Sequence, residues 1–274
     1  MPEGPEIRRA ADAIAKVLEG RVIENAGLHH VALKGAESHI VGRKVQKIAC
    51  HGKALLTHFS SGKTPYSHNQ LYGVWRVIRQ RALPTTKRAL RIALHTEEHS
   101  APLYSATDVS LWETSALDQH PFLRRLGPYR LTAETQPQVI LALLESADVR
   151  NRQLATLYLD QSFIAGIGNY LRSEILFFAC VNPLSKPREL TLQKKMKLAR
   201  NTISISQRSY RTGGVTLPAR LVDKNIKPGR RGCEAGRFAV FARAGKPCRN
   251  CHTPIKEGIL TSRRIYWCPA CQQK

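Results

Sequence analysis

A chain of 274 residues that sets 43 lysines and arginines against 20 aspartates and glutamates, a formal charge of +23, is composed to meet a polyanion. Its 42% hydrophobic and 23% charged content excludes a disordered or fibrous chain and leaves room for two or three small domains. The sequence offers no long apolar span, no strongly amphipathic basic helix and no signal-peptide start, which argues against a membrane partner and sets the expectation of a cytosolic protein.

The chain opens Met1-Pro2-Glu3-Gly4-Pro5-Glu6. Removal of Met1 would leave a secondary amine at Pro2, with the Glu3 carboxylate directly after it. Such an amine attacks an electrophilic carbon and forms an iminium, the proline counterpart of a lysine Schiff base. Ile7, Ala10, Ala11, Ile14, Val17 and Leu18 share one 3.6-residue face, which predicts a helix over 8–18 stopped by Gly20. Amine and carboxylate then sit at the positive end of a helix, which favours the neutral amine and the ionised Glu3. On their own, these residues also describe an ordinary capped helix started by two prolines.

Residues 21–118 read as β-rich. Runs over 53–60 and 66–79 are separated by Ser61-Gly62, and a second pair, 88–96 and 102–105, flanks the polar stretch 97–100. Short strands at this spacing predict a sandwich or barrel of about 120 residues. His51-Gly52-Lys53 ends a turn, and Gln70-Leu71-Tyr72 lies near a strand end. An amide, a branched aliphatic and an aromatic in a row could wedge into a duplex and replace an expelled base, or could be a strand with alternating faces.

A punctuated connection over 123–136 follows, and helical periodicity then takes over at 139–144, 153–159, 170–178 and 190–205. Within this small all-α domain, Gly166 and Gly168 mark tight turns, and Gly168-Asn169 leads into a helix start. Backbone N–H groups there, with Asn169 and Arg172 nearby, make either a phosphate cradle or a plain helix hairpin. Residues 208–237 are basic and rich in Gly and Pro, and read as a loop that is mobile or ordered by its ligand.

The most specific spacing is at the end: Cys248-x2-Cys251, sixteen residues, Cys268-x2-Cys271. Two such knuckles supply four thiolates for one tetrahedral zinc, with no open position, so the metal is expected to be structural. The remaining cysteines, Cys50, Cys180 and Cys233, are expected as free thiols. From residue 237 onward there are eight basic residues and one acidic, Glu257, with Arg263 and Arg264 placed just before the second knuckle.

Together, Pro2-Glu3-Gly4-Pro5-Glu6, Gly52-Lys53, Gly166-Ile167-Gly168-Asn169-Tyr170 and the four-cysteine ribbon resemble the formamidopyrimidine-DNA glycosylase and endonuclease VIII family over essentially the whole chain. The stretch from Tyr66 to Trp75 and Arg150-Asn151-Arg152-Gln153 resemble its endonuclease VIII branch. The resemblance implies an α+β chain: an N-terminal β-sandwich with a leading helix (1–122), a linker (123–136), a helix–two-turns–helix domain with a basic loop (137–236) and a zinc ribbon (237–274). It implies a bifunctional glycosylase and AP lyase that removes oxidised pyrimidines from damaged double-stranded DNA and nicks the strand by β,δ-elimination, acting as a monomer in a bacterial cytoplasm and nucleoid. It implies Pro2 as nucleophile, Glu3 as proton donor or shuttle, and Lys53, Asn169 and Arg263 on phosphates around the lesion. Gln70, Leu71 and Tyr72 would fill the gap, and Glu6 and Arg172 would support the cleft. One departure stands out: Tyr129 occupies a position where the family pattern leads one to expect an acidic residue.

Two rivals remain at this stage. A non-enzymatic zinc-ribbon DNA-binding protein would share the charge and the cysteines but has no use for a proline amine beside Glu3. The same chemistry directed at oxidised purines is separated from the first reading by the wedge, Gln70-Leu71-Tyr72.

Overall fold

The first helix forms where the apolar spacing places it, and it starts earlier. In this structure, a computed structural model that describes residues 2–79, 83–128, 135–222 and 234–274, α1 spans Gly4–Leu18. Pro5 lies in its first turn, where a missing N–H costs nothing. Ile7, Ala11, Ile14 and Leu18 form its buried face, which packs on the strand Val45–His51. The chain divides into two compact units, Met1–Leu126 and Gly127–Lys274. Tyr129 and residues 223–233 of the basic loop, Cys233 among them, lie outside the described residues.

Among its described residues the first unit carries eight strands: β1 Asn25–Leu28, β2 Val45–His51, β3 Ala54–Phe59, β4 Lys63–His68, β5 Val74–Trp75, β6 Leu90–His95, β7 Ser100–Tyr104 and β8 Asp108–Glu113. They form two four-stranded sheets, ordered β1-β6-β7-β5 and β2-β3-β4-β8, and every pairing within them is antiparallel. Ile23, Val45, Leu55, Phe59, Ile92, Leu94 and Leu103 are buried among them. The strand β3 is buried at five of six positions, because Ala54 and Leu56 also meet Tyr66, Trp112, Leu117, Phe122 and Leu123. Such two-sided burial writes a continuous apolar run into the sequence in place of an alternation. Pro65 is tolerated in β4 because the β3–β4 ladder pairs only Tyr66, Ser67 and His68 and ends before it.

The run predicted over 66–79 is broken in the structure. It comprises the end of β4, a turn at 69–73, and the two residues of β5. Gly73 causes the break: its N–H donates to the Asn69 carbonyl at 2.7 Å, and a side chain there would collide with the Asn69 backbone.

The second unit contains α2 Pro137–Glu145, α3 Leu154–Leu157, α4 Asn169–Ala179 and α5 Leu192–Arg211, followed by the hairpin β9 Lys256–Leu260 and β10 Arg263–Trp267. The helix α5 takes in the first residues of the span read as a basic loop. Helices and hairpin share one core: Leu171, Ile175, Leu198 and Ile203 cluster with Phe238 and Ile265. Glu174, wholly buried on α4, accepts hydrogen bonds from the N–H groups of Ala239, Val240 and Phe241 at 2.8, 2.8 and 2.9 Å, and from the Thr216 hydroxyl. Burial drives its pKa up, and these four donors oppose the rise. Just past the C-terminus of α4, Gln272 donates to the Val181 carbonyl and accepts from the Cys268 N–H, both at 2.9 Å. The ribbon is thus held at the middle of α4 and just beyond its C-terminus. Among the described residues, no helix is long and apolar enough to cross a membrane.

Candidate active site and nucleic-acid interface

In the first unit the chain start is fixed by its own short-range bonds. Glu3 is the N-cap of α1; its carbonyl accepts from the N–H groups of Glu6 and Ile7, each at 3.1 Å. The Glu6 carboxylate accepts the Glu3 N–H at 3.0 Å and pairs with Arg9 at 3.3 Å. Glu3 is 2% exposed and Pro2 half-buried. A terminal segment with these bonds does not fray, and it presents Pro2 and Glu3 at the positive end of a fifteen-residue helix. Glu6 therefore has a definite task, which is to hold the Glu3 backbone.

Lys53 is the second residue of the two-residue turn that joins β2 to β3. Gly52 takes φ +61° in that turn, a value a side chain would resist. The register pairs Ala54 with His68, so the turn and the 69–73 loop share one end of the β2-β3-β4-β8 sheet. In that loop Gln70 adopts φ +45°, while its side-chain oxygen accepts from the Thr107 hydroxyl at 3.0 Å. The Tyr72 carbonyl accepts from Arg88 at 2.8 Å. Leu71 and Tyr72 project outward, 54% and 69% exposed. Two large apolar side chains in water beside a strained residue are an arrangement that folding alone does not favour.

In the second unit the two turns before α4 are closed by Gln161, which donates to the carbonyls of Leu159 and Ile167 and accepts the Gly166 N–H, at 3.0, 2.8 and 3.0 Å. Burial opposes ionisation of Asp160, but hydrogen bonds from Ser162 and Arg152 hold its carboxyl below the usual range. Gly168 caps α4, and Asn169, half-buried, is the first helical residue. Arg172, expected beside Asn169 as a DNA-binding and cleft-supporting residue, has a wholly buried side chain, which leaves it no surface for direct contact with DNA. Its guanidinium donates to the Asn169 side-chain oxygen at 2.6 Å, the Ala155 carbonyl at 2.9 Å and the Arg264 carbonyl at 2.8 Å. One helical turn from Asn169, it points inward and fixes how Asn169 is presented.

The β9–β10 turn, Thr261-Ser262, has positive φ at both residues, +49° and +59°, the geometry of a tight hairpin that follows the strand twist. Arg263 follows directly, exposed at the hairpin tip. Behind it the four cysteine sulfurs lie within 4.8 Å of one another. Cys248 and Cys271 are 3.9 Å apart, and Cys251 stands 3.4 Å from both Cys268 and Cys271. A tetrahedral zinc with Zn–S bonds of about 2.3 Å needs sulfurs roughly 3.8 Å apart, so the donor set fits one metal ion. Burial pushes the Cys271 thiol up to about 12, while hydrogen bonding with Thr253 brings Cys251 down to about 6. Sulfurs this crowded do not all ionise unless a cation sits among them.

Sequence reasoning missed two residues with clear tasks, Glu174 and His68. Neither falls in a spacing pattern; each is defined by what the fold brings to it.

Comparison with known proteins matches these parts. The sequence model of the formamidopyrimidine-DNA glycosylase N-terminal domain matches residues 1–108, and that of the same family's H2TH domain matches 126–220. Endonuclease 8 of Escherichia coli is 43% identical over 272 residues, covering 99% of this chain and 100% of its own. Endonuclease 8 of Salmonella arizonae is 44% identical over 273 residues, with 100% of both chains covered. The wild-type Lactococcus lactis Fpg, solved with DNA containing an oxidised pyrimidine, superposes with a TM-score of 0.81 at 20% identity, covering 100% of both chains. The same protein with abasic-site DNA gives 0.80 at 21%, covering 99% of this chain and 100% of its own. Two family models that together span most of the chain, and relatives matched over their full length, show that the chain belongs to the formamidopyrimidine-DNA glycosylase and endonuclease VIII family, on its endonuclease VIII branch.

Proposed function

We propose that the α-amine of Pro2, freed by loss of Met1, is the nucleophile of this DNA glycosylase and AP lyase of base excision repair, and that Glu3 is its acid–base partner. The observation that carries this reading is the position of Glu3: buried, fixed as the α1 cap, and next to a half-buried proline. The amine attacks C1′ of the damaged nucleotide, the C1′–base bond breaks, and the base leaves with its electron pair and a proton. Glu3 protonates the ring oxygen as the sugar opens, which leaves an iminium between C1′ and the proline nitrogen. That cation acidifies the C2′ proton; its loss expels the 3′ phosphate, and a second elimination expels the 5′ phosphate.

The remaining roles follow the same reading. Lys53, Asn169 and Arg263 contact phosphates around the lesion, where their charge or amide sets register without reading sequence. Gln70, Leu71 and Tyr72 occupy the space left by the flipped nucleotide. Arg172 acts behind Asn169. Cys248, Cys251, Cys268 and Cys271 hold one zinc, which closes the ribbon and takes no part in bond breaking. The substrate is damaged double-stranded DNA with oxidised pyrimidines as the lesion class, and the enzyme acts as a monomer in the bacterial cytoplasm and nucleoid.

Borohydride reduction on duplexes carrying an oxidised pyrimidine or an abasic site tests this directly. A covalent adduct whose cross-linked peptide starts at Pro2 is expected. An adduct mapped to Lys53, or full activity in protein that retains Met1, overturns it.

A further inference from the structure

We propose that His68 is a positioning residue for the wedge, holding Gln70, Leu71 and Tyr72 ready for insertion through the unprotonated Nδ1 of its imidazole. The inference rests on the reading of 70–72 as the gap-filling segment and assigns that segment a support and a pH limit.

The geometry is local and specific. The Gln70 N–H donates to Nδ1 of His68 at 3.0 Å, two residues back along the chain. Gln70 is held at φ +45°, a conformation unfavourable for a residue with a side chain, so something must stabilise it. Three anchors surround the turn: His68 on the Gln70 backbone, Thr107 on the Gln70 side chain, and Arg88 on the Tyr72 carbonyl. Gly73 closes it against Asn69. Leu71 and Tyr72 then stand out in solvent with their backbone already fixed, so little ordering is left for the moment of insertion.

Of the three anchors only His68 can be switched by a proton. An imidazole accepts at Nδ1 only while its single proton is on Nε2; the imidazolium has no acceptor. The groups facing His68 are Asp108, paired with it across β4 and β8, Lys53 from the β2–β3 turn, and the Phe122 ring at 5.1 Å. Burial, aided by Lys53 and opposed by Asp108, sets the imidazole below its ordinary pKa, so the accepting form prevails near neutral pH. A phosphate drawn to Lys53 would act in the opposite direction, favouring the imidazolium and loosening the turn.

The test compares base release from a lesion in a full duplex with release from the same lesion in an unpaired bubble, where no gap must be filled. The duplex-to-bubble ratio cancels the ionisation of the Pro2 amine, which both substrates share. Asparagine is the conservative replacement, because its side-chain oxygen accepts from the N–H two residues on; phenylalanine keeps the ring and removes the acceptor. His68→Phe should lower the ratio by about tenfold, the scale of one neutral hydrogen bond. His68→Asn should restore it to within about threefold, so that at least about half of the bond's free energy returns. In the unaltered enzyme the ratio should fall as pH drops below about 6.5, the ordinary imidazole value, and in His68→Asn that fall should vanish. Leu71→Ala is the control. If it lowers the ratio and His68→Phe does not, or if His68→Asn is no better than His68→Phe, the inference is overturned and the wedge reading stands. If Leu71→Ala leaves the ratio unchanged, the wedge reading falls and the inference falls with it.

Discussion

Arg172 donates to the main-chain carbonyl of Arg264 at 2.8 Å, across 92 residues of sequence, and to the side chain of Asn169 at 2.6 Å. One buried cation therefore sets the start of α4 and the edge of the ribbon hairpin at the same time. Two proposed phosphate contacts, Asn169 and Arg263, depend on it without its touching DNA. Arg172→Ala should leave three acceptors unpaired and cost on the order of 3 kcal/mol or more of folding stability. Arg172→Lys keeps the charge but cannot fork to three acceptors, and should also weaken DNA binding. Urea unfolding and lesion-DNA titration on the two variants check this; tight binding by Arg172→Lys would show that the bracket is dispensable.

The four-cysteine cluster should bind one metal per chain, and elemental analysis of purified protein is expected to return one equivalent of zinc. The ribbon shares its core with α4, through Phe177, Tyr266 and Ile255. Cys251→Ser should therefore lower the melting temperature of the whole second unit as well as abolish DNA binding. A melting curve unchanged by chelation would contradict it.

Glu3→Gln should separate the two activities. Base release from an intact lesion needs a proton donor at the opening sugar, whereas a preformed abasic site has no glycosidic bond left to break. Loss on intact lesions is expected to reach about a hundredfold or more, the usual weight of a general acid. Cleavage of abasic DNA should fall far less, and single-turnover assays on both substrates read the difference. Equal loss on the two would remove Glu3 from the base-release step.

His58, His68 and His120 are all held below the ordinary imidazole value, by burial first in each case. Lys47 reinforces this at His58 and Lys53 at His68, while Asp108 opposes it at His68 and His120. With folded pKa values lowered, the unfolded chain binds protons first as pH falls. The first unit is then at full stability above about pH 6.5 and loses it as pH drops from there toward the folded values. Urea midpoints followed by Trp75 and Trp112 fluorescence should decline through this range, and His120→Gln should flatten the slope.

Binding should depend steeply on salt. If about five phosphates are engaged, affinity drops on the order of a hundredfold or more between roughly 50 and 200 mM salt. Arg263→Ala should reduce that slope by about one charge and weaken all sequences alike. A flat salt dependence would exclude these phosphate contacts.

What the sequence revealed and what it hid follow from how each feature is encoded. The cysteine cluster is legible because two knuckles are a spacing, and a spacing survives as text. The first helix is legible because a 3.6-residue stripe is a period, and Pro2-Glu3 because a secondary amine beside a carboxylate is unusual chemistry wherever it sits. How Arg172 acts is hidden because proximity to Asn169 in sequence says nothing about direction, and one helical turn carries it into the core. The break at 69–73 is hidden in a run of strand-forming residues, since only Gly73 announces it. His68 and Glu174 leave no pattern: the first acts on a neighbour held at positive φ, the second on N–H groups 65 to 67 residues away.

Glu174 has a further implication for how this protein tolerates change. Its carboxylate accepts from four donors, three backbone N–H groups and the Thr216 hydroxyl. Glutamine has the same shape, but one of its two terminal atoms is an NH2 group, and it would be turned toward donors whichever way the amide is flipped. Aspartate keeps the charge and falls short by one methylene. The usual ranking of conservative replacements thus fails here: the nearest isostere brings donor against donor in a wholly buried site, and the position is closed to drift in shape and in charge alike.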